Sequence, residues 1–258
     1  MTASDLAFAV RFARKAGHRM ITMRQGVGVK KKLDRTDVSD ADTAINAEFI
    51  VDVRAHSGGR DAVRGEELSA DVLSADRVWI IDPIDGTGEY IDESIPHARR
   101  TSCVGIALMV RGEIVLAVVL NPFKNMLLVA QKGGRPTMNG RPIRCSSQRA
   151  ARGVPYDYCH WQGARYNLPR LERMFGPPLR VYSAIWQACM VAMGQSAFAA
   201  FVGNTIHDIA PGALMVIRSG GLVTNFQGGP VDLRNPAAGV LYANRASQPV
   251  ALSALRTL

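Results

Sequence analysis

The sequence predicts an α+β first half followed by an α/β second half. Three apolar runs of strand length lie close together and are joined by short turns, at 101–110, 113–120 and 126–130. Closely spaced strands of this kind favour an antiparallel sheet. In the second half, apolar strands alternate with helical patterns, which is typical of an α/β unit.

A turn-rich segment, 135–147, separates the two halves. We therefore expect an N-terminal α+β lobe at 1–140 and a C-terminal α/β lobe at 141–258. At 258 residues and 47% hydrophobic content, the chain can bury a large core.

Two helices are predicted in the first half from the spacing of apolar residues. One stripe of an amphipathic N-terminal helix carries Leu6, Val10, Ala13, Gly17 and Met20. The second helix is indicated by Ala44, Ile45, Phe49 and Val53. Three residues before it are suitable N-caps, namely Asp37, Ser39 and Asp40.

The second half begins with a predicted short strand at 180–185, which runs into a helix that continues to Met193 and stops at Gly194. A strand at 196–202 precedes a helix that starts near His207 and stops at a glycine pair. Two further strands are predicted, at 221–226 and 239–244.

Composition and charge limit the classes of function that this chain can have. No apolar run approaches the roughly 20 residues of a membrane span, and the N-terminus lacks the pattern of a secretory leader. We expect a soluble cytoplasmic protein without a membrane partner. The net charge of +9 favours an anionic partner, either a nucleic acid or a phosphorylated small molecule.

The stretch WIIDPIDGTGEY (79–90) places two aspartates at the end of an apolar strand. Asp82 and Asp85 flank a tight turn, so their carboxylates can converge. Such carboxylates repel unless a cation lies between them or one is protonated. Oxygen ligands suit Mg²⁺ before Ca²⁺ or Mn²⁺. The structural alternative is a pair of ordinary surface turns, Asp-Pro and Asp-Gly.

The Gly86-Thr87-Gly88 sequence adds a second feature to this turn. Glycines directly after a strand allow backbone N–H groups to point at an anion, particularly where a helix begins. A metal pair beside a phosphate-binding turn is what hydrolysis of a phosphate ester requires.

WIIDPIDGTGEY is similar to the first signature of the inositol monophosphatase family, W-x-x-D-P-[ILV]-D-G-T. Three other landmarks follow the family's order. DVSDAD (37–42) resembles its V-T-x-x-D segment, GEE (65–67) its G-E-E turn, and HDIAPG (207–212) its second signature, W-D-x-A-A-G. The resemblance covers essentially the whole chain.

The resemblance implies a layered αβαβα sandwich and a phosphomonoesterase that uses two Mg²⁺ ions, with a third, weaker ion allowed. By this resemblance, the first ion would be held by Glu66, Asp82 and the carbonyl of Ile84. The second would be held by Asp82, Asp85 and Asp208.

The resemblance also implies the remaining roles. The amides of Gly86 and Thr87 would bind the phosphate, while Asp42 and Thr87, helped by Glu66, would orient and deprotonate the attacking water. In-line displacement would release phosphate and an alcohol without a phospho-enzyme. Taken singly, Asp42 and Asp208 are also explained as residues at helix starts.

Three candidate substrate contacts lie where the chain departs from the family pattern. His207 replaces the usual tryptophan, and we expect it to pack in the indole's space because no orienting partner for a ligating imidazole is evident. Phe201 replaces an acidic residue of inositol-type members, which puts inositol phosphate in doubt as preferred substrate. Core packing is favoured for Phe201. Ser183 lies in the segment Tyr182-Ser183-Ala184, where the family usually has G-S-A.

The leading interpretation is a Mg²⁺-dependent phosphomonoesterase for a small inositol- or sugar-phosphate-like metabolite. Nucleotide and histidinol phosphates are alternatives within the family. The alternative from another class is a non-catalytic regulator that binds RNA or a polymerase. For the leading interpretation we expect a small phosphorylated substrate rather than a nucleic acid, and a homodimer.

Overall fold

The computed structural model describes residues 1–31, 37–67, 74–160, 168–203, 205–233 and 239–255. The helices in these ranges are α1 Ala3–Met23, α2 Asp40–Ser57, α3 Thr87–Ile91, α4 Leu168–Phe175, α5 Ala184–Ala192, α6 Ile206–Arg218 and α7 Gln248–Leu255. The strands are β1 Val29–Lys31, β2 Asp37–Ser39, β3 Ala62–Gly65, β4 Arg77–Asp85, β5 Cys103–Val110, β6 Glu113–Asn121, β7 Met126–Gln131, β8 Thr137–Met138, β9 Arg141–Pro142, β10 Asp157–His160, β11 Phe198–Val202, β12 Leu222–Thr224 and β13 Val240–Ala243. None of the described helices is both long and apolar enough to cross a bilayer.

Two larger sheets organise the chain. The first has seven strands in the order β3-β4-β5-β6-β7-β8-β9, and all neighbours are antiparallel except the parallel pair β3 and β4. The predicted antiparallel sheet is therefore confirmed. The second sheet has the order β10-β11-β13-β12, with β10 and β11 parallel and the other pairs antiparallel. A separate pair, β1 and β2, precedes α2.

The elements stack in five layers, αβαβα, which confirms the predicted fold. Helices α1 and α2 cover one face of the first sheet. The other face packs on α5 and α6, which are covered in turn by the second sheet. Helices α4 and α7 close the outer face of the second sheet. The central strands β4 to β6 of the first sheet and β11 and β13 of the second are thus buried on both faces, which explains their apolar sequences.

The buried face of α1 differs from the predicted stripe. Ala13, Gly17 and Met20 are buried as expected, but the large anchors are Phe8 and Phe12, and Leu6 and Val10 lie at the edge of the core. The buried face of a helix is wider than one row of residues, so a single stripe was too narrow a prediction.

One of the three predicted N-cap candidates is the residue at which helix α2 begins. Ser39 is the N-cap, and its hydroxyl accepts a hydrogen bond from Asp42 N at 3.3 Å while the Asp42 carboxylate accepts from Ser39 N at 2.8 Å. This reciprocal capping box holds Asp42 in the first turn of the helix.

The predicted strand at 180–185 is wrong. The backbone N–H groups of Arg180 and Val181 donate to the side chain of Asp157, at 3.2 and 2.9 Å, and not to a neighbouring strand. The strand beside β11 is instead β10, which was not predicted. Its four residues include polar ones at both ends, too short a pattern to recognise as a strand.

The predicted lobes share a core. Strands β8 and β9 extend the first sheet to Pro142, just beyond the predicted boundary. Val119 of β6 lies in the same apolar cluster as Ala188 of α5 and Val240 of β13. The division at residue 140 stays a prediction.

Candidate metal and phosphate site

The end of β4 is where the two signature aspartates lie. Asp82 pairs with Gly105 and Asp85 with Cys103, so the stretch between the two aspartates contains one residue more than the facing stretch of β5. This β-bulge re-aims the end of the strand. Both aspartates are nevertheless buried, so the reading as ordinary surface turns is wrong.

Acidic residues from separate elements converge at this point. Within the described residues, three overlapping groups bring their ligand atoms within 4.8 Å of one another: Asp82 with Asp85 and Asp208, Asp82 with Glu66 and His207, and Glu66 with Asp42 and Glu67. The five acids singled out from sequence are thus in one continuous cluster. Glu67 and His207 belong to it as well, although neither was predicted as a ligand.

Chain topology explains the convergence. Because β3 runs parallel to β4 with Gly65 opposite Ile81, Glu66 emerges beside Asp82. Asp42 and Asp208 come from the first turns of α2 and α6, each fixed by a capping box. Helix starts and strand ends therefore meet at one edge of the first sheet.

The start of α5 holds the Asp85 carboxylate. It accepts hydrogen bonds from Ser183 Oγ at 2.5 Å, Ile185 N at 2.6 Å and Ala184 N at 3.2 Å. Burial and then repulsion from Asp208 raise the pKa of Asp85 to about 7, although these hydrogen bonds lower it. Asp85 is thus fixed in position by main-chain and hydroxyl donors.

Ser183 donates a hydrogen bond to Asp85 in this structure. Its side chain is fully buried, and its hydroxyl also accepts a hydrogen bond from Trp186 N at 3.0 Å as the N-cap of α5. A hydroxyl enclosed in this way does not face a substrate. The arrangement therefore does not support the predicted substrate contact.

Asp82 lacks such support. It is 2% exposed, and its Oδ1 has no hydrogen-bond partner in the described part of the chain. Burial raises the pKa of Asp82 well above its ordinary value, and repulsion from Glu66 and Asp85 raises it further. A buried carboxylate oxygen without a partner is costly unless a cation binds it. The donor set of carboxylates around it therefore fits a divalent metal ion.

Asp42 lies in an environment suited to proton transfer. It is fully buried, and burial raises its pKa to about 7, with repulsion from Glu66 and Glu67 adding to the effect and hydrogen bonds from Ser39 opposing it. The Thr87 hydroxyl is 2.9 Å from the Ile84 carbonyl, to which it donates, and 3.3 Å from Asp42 Oδ1.

Gly86, the first glycine of the Gly86-Thr87-Gly88 turn, adopts a conformation that other residues rarely take. Gly86 has φ +89° and is the N-cap of α3, and a Cβ there would lie 3.4 Å from Ser102 Oγ and from Ser183 Cβ. Since this backbone conformation favours glycine, residue 86 can open α3 directly after the bulge.

Arg100 supports the same turn and was not predicted. Its buried guanidinium donates to main-chain carbonyls at and beyond the end of α3, namely those of Glu89, Tyr90, Asp92 and Ile95. The signal available in sequence was a pair of arginines, Arg99 and Arg100, before an apolar strand, and arginines there are equally typical of the surface.

His207 has the orienting partner that sequence could not identify. The Thr205 hydroxyl lies 2.9 Å from His207 Nδ1 and 2.7 Å from Nε2, and the ring is 8% exposed. Nε2 is also 3.8 Å from Asp208 Oδ2. The ring therefore lies inside the carboxylate cluster.

Phe201 is placed in the core. It is 1% exposed, lies on β11 and packs edge-on against Tyr242 with the ring centroids 5.5 Å apart. The structure therefore favours packing and does not support a substrate contact at this position.

The amino-acid sequence of this chain is similar to those of known proteins. The profile of the inositol monophosphatase family matches residues 2–258. Nus factor SuhB of Escherichia coli strain K12 is 30% identical over 234 residues, which cover 87% of this chain and 86% of that protein. The fructose-1,6-bisphosphatase/inositol-1-monophosphatase of Thermotoga maritima is 30% identical over 230 residues, covering 86% and 85%.

Solved structures agree with these matches. The IMPase of Thermotoga maritima superposes with a TM-score of 0.85 at 26% identity, covering 98% of this chain and 97% of that one. The suhB protein of Bartonella henselae superposes with a TM-score of 0.87 at 23% identity, covering 98% and 99%, which shows a shared fold.

Proposed function

Because the chain belongs to the inositol monophosphatase family, we propose that it is a metal-dependent phosphomonoesterase that hydrolyses a small phosphorylated metabolite. The observation that carries the proposal is the buried carboxylate cluster with Asp82 at its centre, one oxygen of which has no partner among the described residues. A cluster of like charges in a core is costly to the fold, so its completeness favours a retained function.

We assign Mg²⁺ as the metal and two ions as the working set. Glu66, Asp82 and the Ile84 carbonyl would hold one, and Asp82, Asp85 and Asp208 the other. The overlap of the acidic groups at Glu66 leaves room for a third, weaker ion beside Asp42. When bound, these ions offset negative charge on the phosphoryl oxygens and make water more acidic.

The protein's own groups position the reactants. The amides of Gly86 and Thr87 at the start of α3 hold the phosphate. Asp42, with its pKa near 7, accepts a proton from the attacking water, and the Thr87 hydroxyl beside it orients that water. The water oxygen bonds to phosphorus as the bond from phosphorus to the ester oxygen breaks, and the leaving oxygen takes up a proton from solvent, so the products are phosphate and an alcohol.

Fewer residues support the assignment of a substrate class than support the assignment of the reaction. With Phe201 in the core and Ser183 bound to Asp85, the inositol-type contact has no counterpart at these positions. We nevertheless propose an inositol- or sugar-phosphate-like substrate, because the chain belongs to the inositol monophosphatase family and its Thermotoga maritima relative is named a fructose-1,6-bisphosphatase/inositol-1-monophosphatase. Tyr182, which is 69% exposed next to Ser183, supports the alternative of a nucleotide or histidinol phosphate, whose flat ring it could stack on.

A phosphate-release screen tests the proposal. With Mg²⁺ present, we expect release from at least one member of a panel of inositol, sugar, nucleotide and histidinol phosphates. Asp82→Asn should abolish this release while the far-UV circular dichroism spectrum stays unchanged. Equal release by wild type and Asp82→Asn, or none across the panel, would contradict the assignment.

A regulatory function is the second candidate. Several relatives carry the name Nus factor SuhB, and the net charge of +9 is compatible with a polyanionic partner. Filter binding of RNA over a salt series separates the candidates, because an RNA-binding regulator would show saturable binding that weakens steeply as the salt concentration rises.

A homodimer stays a prediction, which size-exclusion chromatography with light scattering would test.

A further inference from the structure

We propose that His207 is a third side-chain ligand of the metal position formed by Glu66 and Asp82, which gives this position a preference for a first-row transition ion over Mg²⁺. The inference rests on the proposed function in one respect: both require a divalent ion at Asp82. It departs from that proposal in the donor set, which would contain a nitrogen.

The first support is the distance between the ligand atoms. One ring nitrogen of His207 and one carboxylate oxygen each of Glu66 and Asp82 all lie within 4.8 Å of one another. Opposite ligands of one ion bonded at about 2.1 Å are about 4.2 Å apart. A small closing movement of side chains would therefore let a single ion contact all three.

The second support is the state of the central carboxylate. Asp82 Oδ1 is buried without a hydrogen-bond partner in the described part of the chain. Asp85 nearby has three donors, so of these two aspartates only Asp82 has a buried oxygen without a partner in the described chain. An ion between Asp82 and His207 would satisfy that oxygen.

The third support is the hydroxyl of Thr205, which contacts both ring nitrogens of His207 at 2.9 and 2.7 Å. The hydroxyl also donates to Asp208 Oδ2 at 3.1 Å, so it accepts from one protonated ring nitrogen at a time and the second nitrogen keeps its lone pair. Metal-binding imidazoles almost always have such a partner on the second nitrogen. Thr205 N also donates to Asp208 at 2.7 Å, which ties the imidazole to the adjacent metal position.

A hydrogen bond between His207 and Asp208 does not account for the position of the imidazole ring. Nε2 and Asp208 Oδ2 are 3.8 Å apart, beyond hydrogen-bond distance, and Asp208 Oδ2 already accepts from Thr205 N. The ring is 8% exposed, so water has little access to it. An ion would bind the ring nitrogen that does not bond the Thr205 hydroxyl.

Ligand chemistry sets the expected preference. Carboxylate, carbonyl and water ligands suit Mg²⁺ and Mn²⁺, whereas imidazole suits Fe²⁺, Ni²⁺, Cu²⁺ and Zn²⁺, and affinity for a mixed site rises from Mn²⁺ towards Cu²⁺. A position with two carboxylates and one imidazole should therefore bind a transition ion more tightly than Mg²⁺, with Mn²⁺ at the weak end of that series, and part of the difference comes from His207.

Electron spin echo spectroscopy of the protein loaded with Mn²⁺ tests the ligand directly. We expect ¹⁴N modulation from a coordinated imidazole in the wild type and its loss in His207→Phe. His18→Gln, a change at an exposed histidine of α1, should retain it. A wild-type spectrum from bound Mn²⁺ without ¹⁴N coupling would overturn the proposal whether or not the variant folds.

Calorimetric titration provides a second readout. His207→Phe should weaken Mn²⁺ binding by about tenfold or more, and Mg²⁺ binding by less. Equal loss for both ions would contradict the proposed preference. If phosphate release persists while the nitrogen signal is absent, only this inference fails. If neither ion binds the wild type, the proposed function fails with it.

Discussion

At the scale of single residues, Asp82 and Asp85 show how neighbours with the same side chain come to differ. Asp85 faces the start of α5, whose N–H groups and Ser183 hydroxyl supply its hydrogen bonds. Asp82 Oδ1 has no such partner in the described chain. Both have raised pKa values, but of the two only Asp82 has a buried oxygen without a partner in the described chain, which a bound cation would satisfy.

Phe201 gives a prediction at the same scale. Because its ring fills the core beside Tyr242, Phe201→Ala should lower the free energy of unfolding by about 3–5 kcal/mol. Urea denaturation measures this change. Tyr182→Ala, at an exposed aromatic, should change it by only about 0.5 kcal/mol.

Substrate preference separates packing from recognition at this position. Phe201→Leu keeps an apolar side chain of similar size and should leave the order of preferred phosphate esters unchanged. A changed order in the phosphate-release screen would return Phe201 to the substrate site.

At the scale of elements, the short helix α3 depends on contacts outside itself. A five-residue helix has little intrinsic stability. Its start is set by the left-handed backbone of Gly86, and its end by the guanidinium of Arg100, which satisfies carbonyl groups that no helical N–H can reach. The amides that we propose to bind phosphate are thus held from both ends of the helix.

Arg100→Met tests this support. Removal of the guanidinium leaves several buried carbonyls without a donor, so we expect a loss of at least about 2 kcal/mol in the free energy of unfolding. A raised KM for phosphate-ester hydrolysis should accompany it, since α3 carries the phosphate-binding turn.

Arg99→Met is the matched control, because Arg99 is exposed and adjacent. It should change stability by only about 0.5 kcal/mol. Comparable losses in the two variants, measured by urea denaturation, would show that the contacts of Arg100 are not what stabilises α3.

At the scale of the whole molecule, the carboxylate cluster joins the two predicted lobes. Asp42, Glu66, Asp82 and Asp85 come from the first lobe, and Asp208 from a helix of the second that packs across β4 and β5. A metal bound there would link both halves of the fold. Its effect on stability should depend on pH.

The sign of that dependence follows from Asp42 and Asp85. Their pKa values are about 7 in the folded state, against an ordinary value of 3.8. Between these values the folded protein keeps protons that the unfolded chain has lost. Without metal, the stability from these groups is therefore complete below about pH 4, falls as the pH rises to about 7, and is gone above it.

Thermal unfolding at pH 5 and pH 8, in EDTA and in Mg²⁺, measures this effect. We expect Mg²⁺ to raise the Tm more at pH 8 than at pH 5, because ionised carboxylates bind the ion and protonated ones do not. Equal shifts at the two pH values would contradict a carboxylate metal site.

Sequence by itself was enough to predict the layered fold, the antiparallel strands β5 to β7, and the acids of the cluster. Apolar periodicity and a local signature carry this information because both are written in neighbouring residues. The strand at 180–185 and the buried face of α1 were predicted less well, since which backbone groups and side chains are covered depends on distant elements.

Tertiary structure alone decided what each polar group touches. It placed Ser183 on Asp85, Arg100 at the end of α3, and His207 within 4.8 Å of Glu66 and Asp82 and beside Thr205. These pairings join residues up to 141 positions apart. No periodicity encodes such distances, because they arise only when the sheets stack and bring the ends of separate elements to one edge.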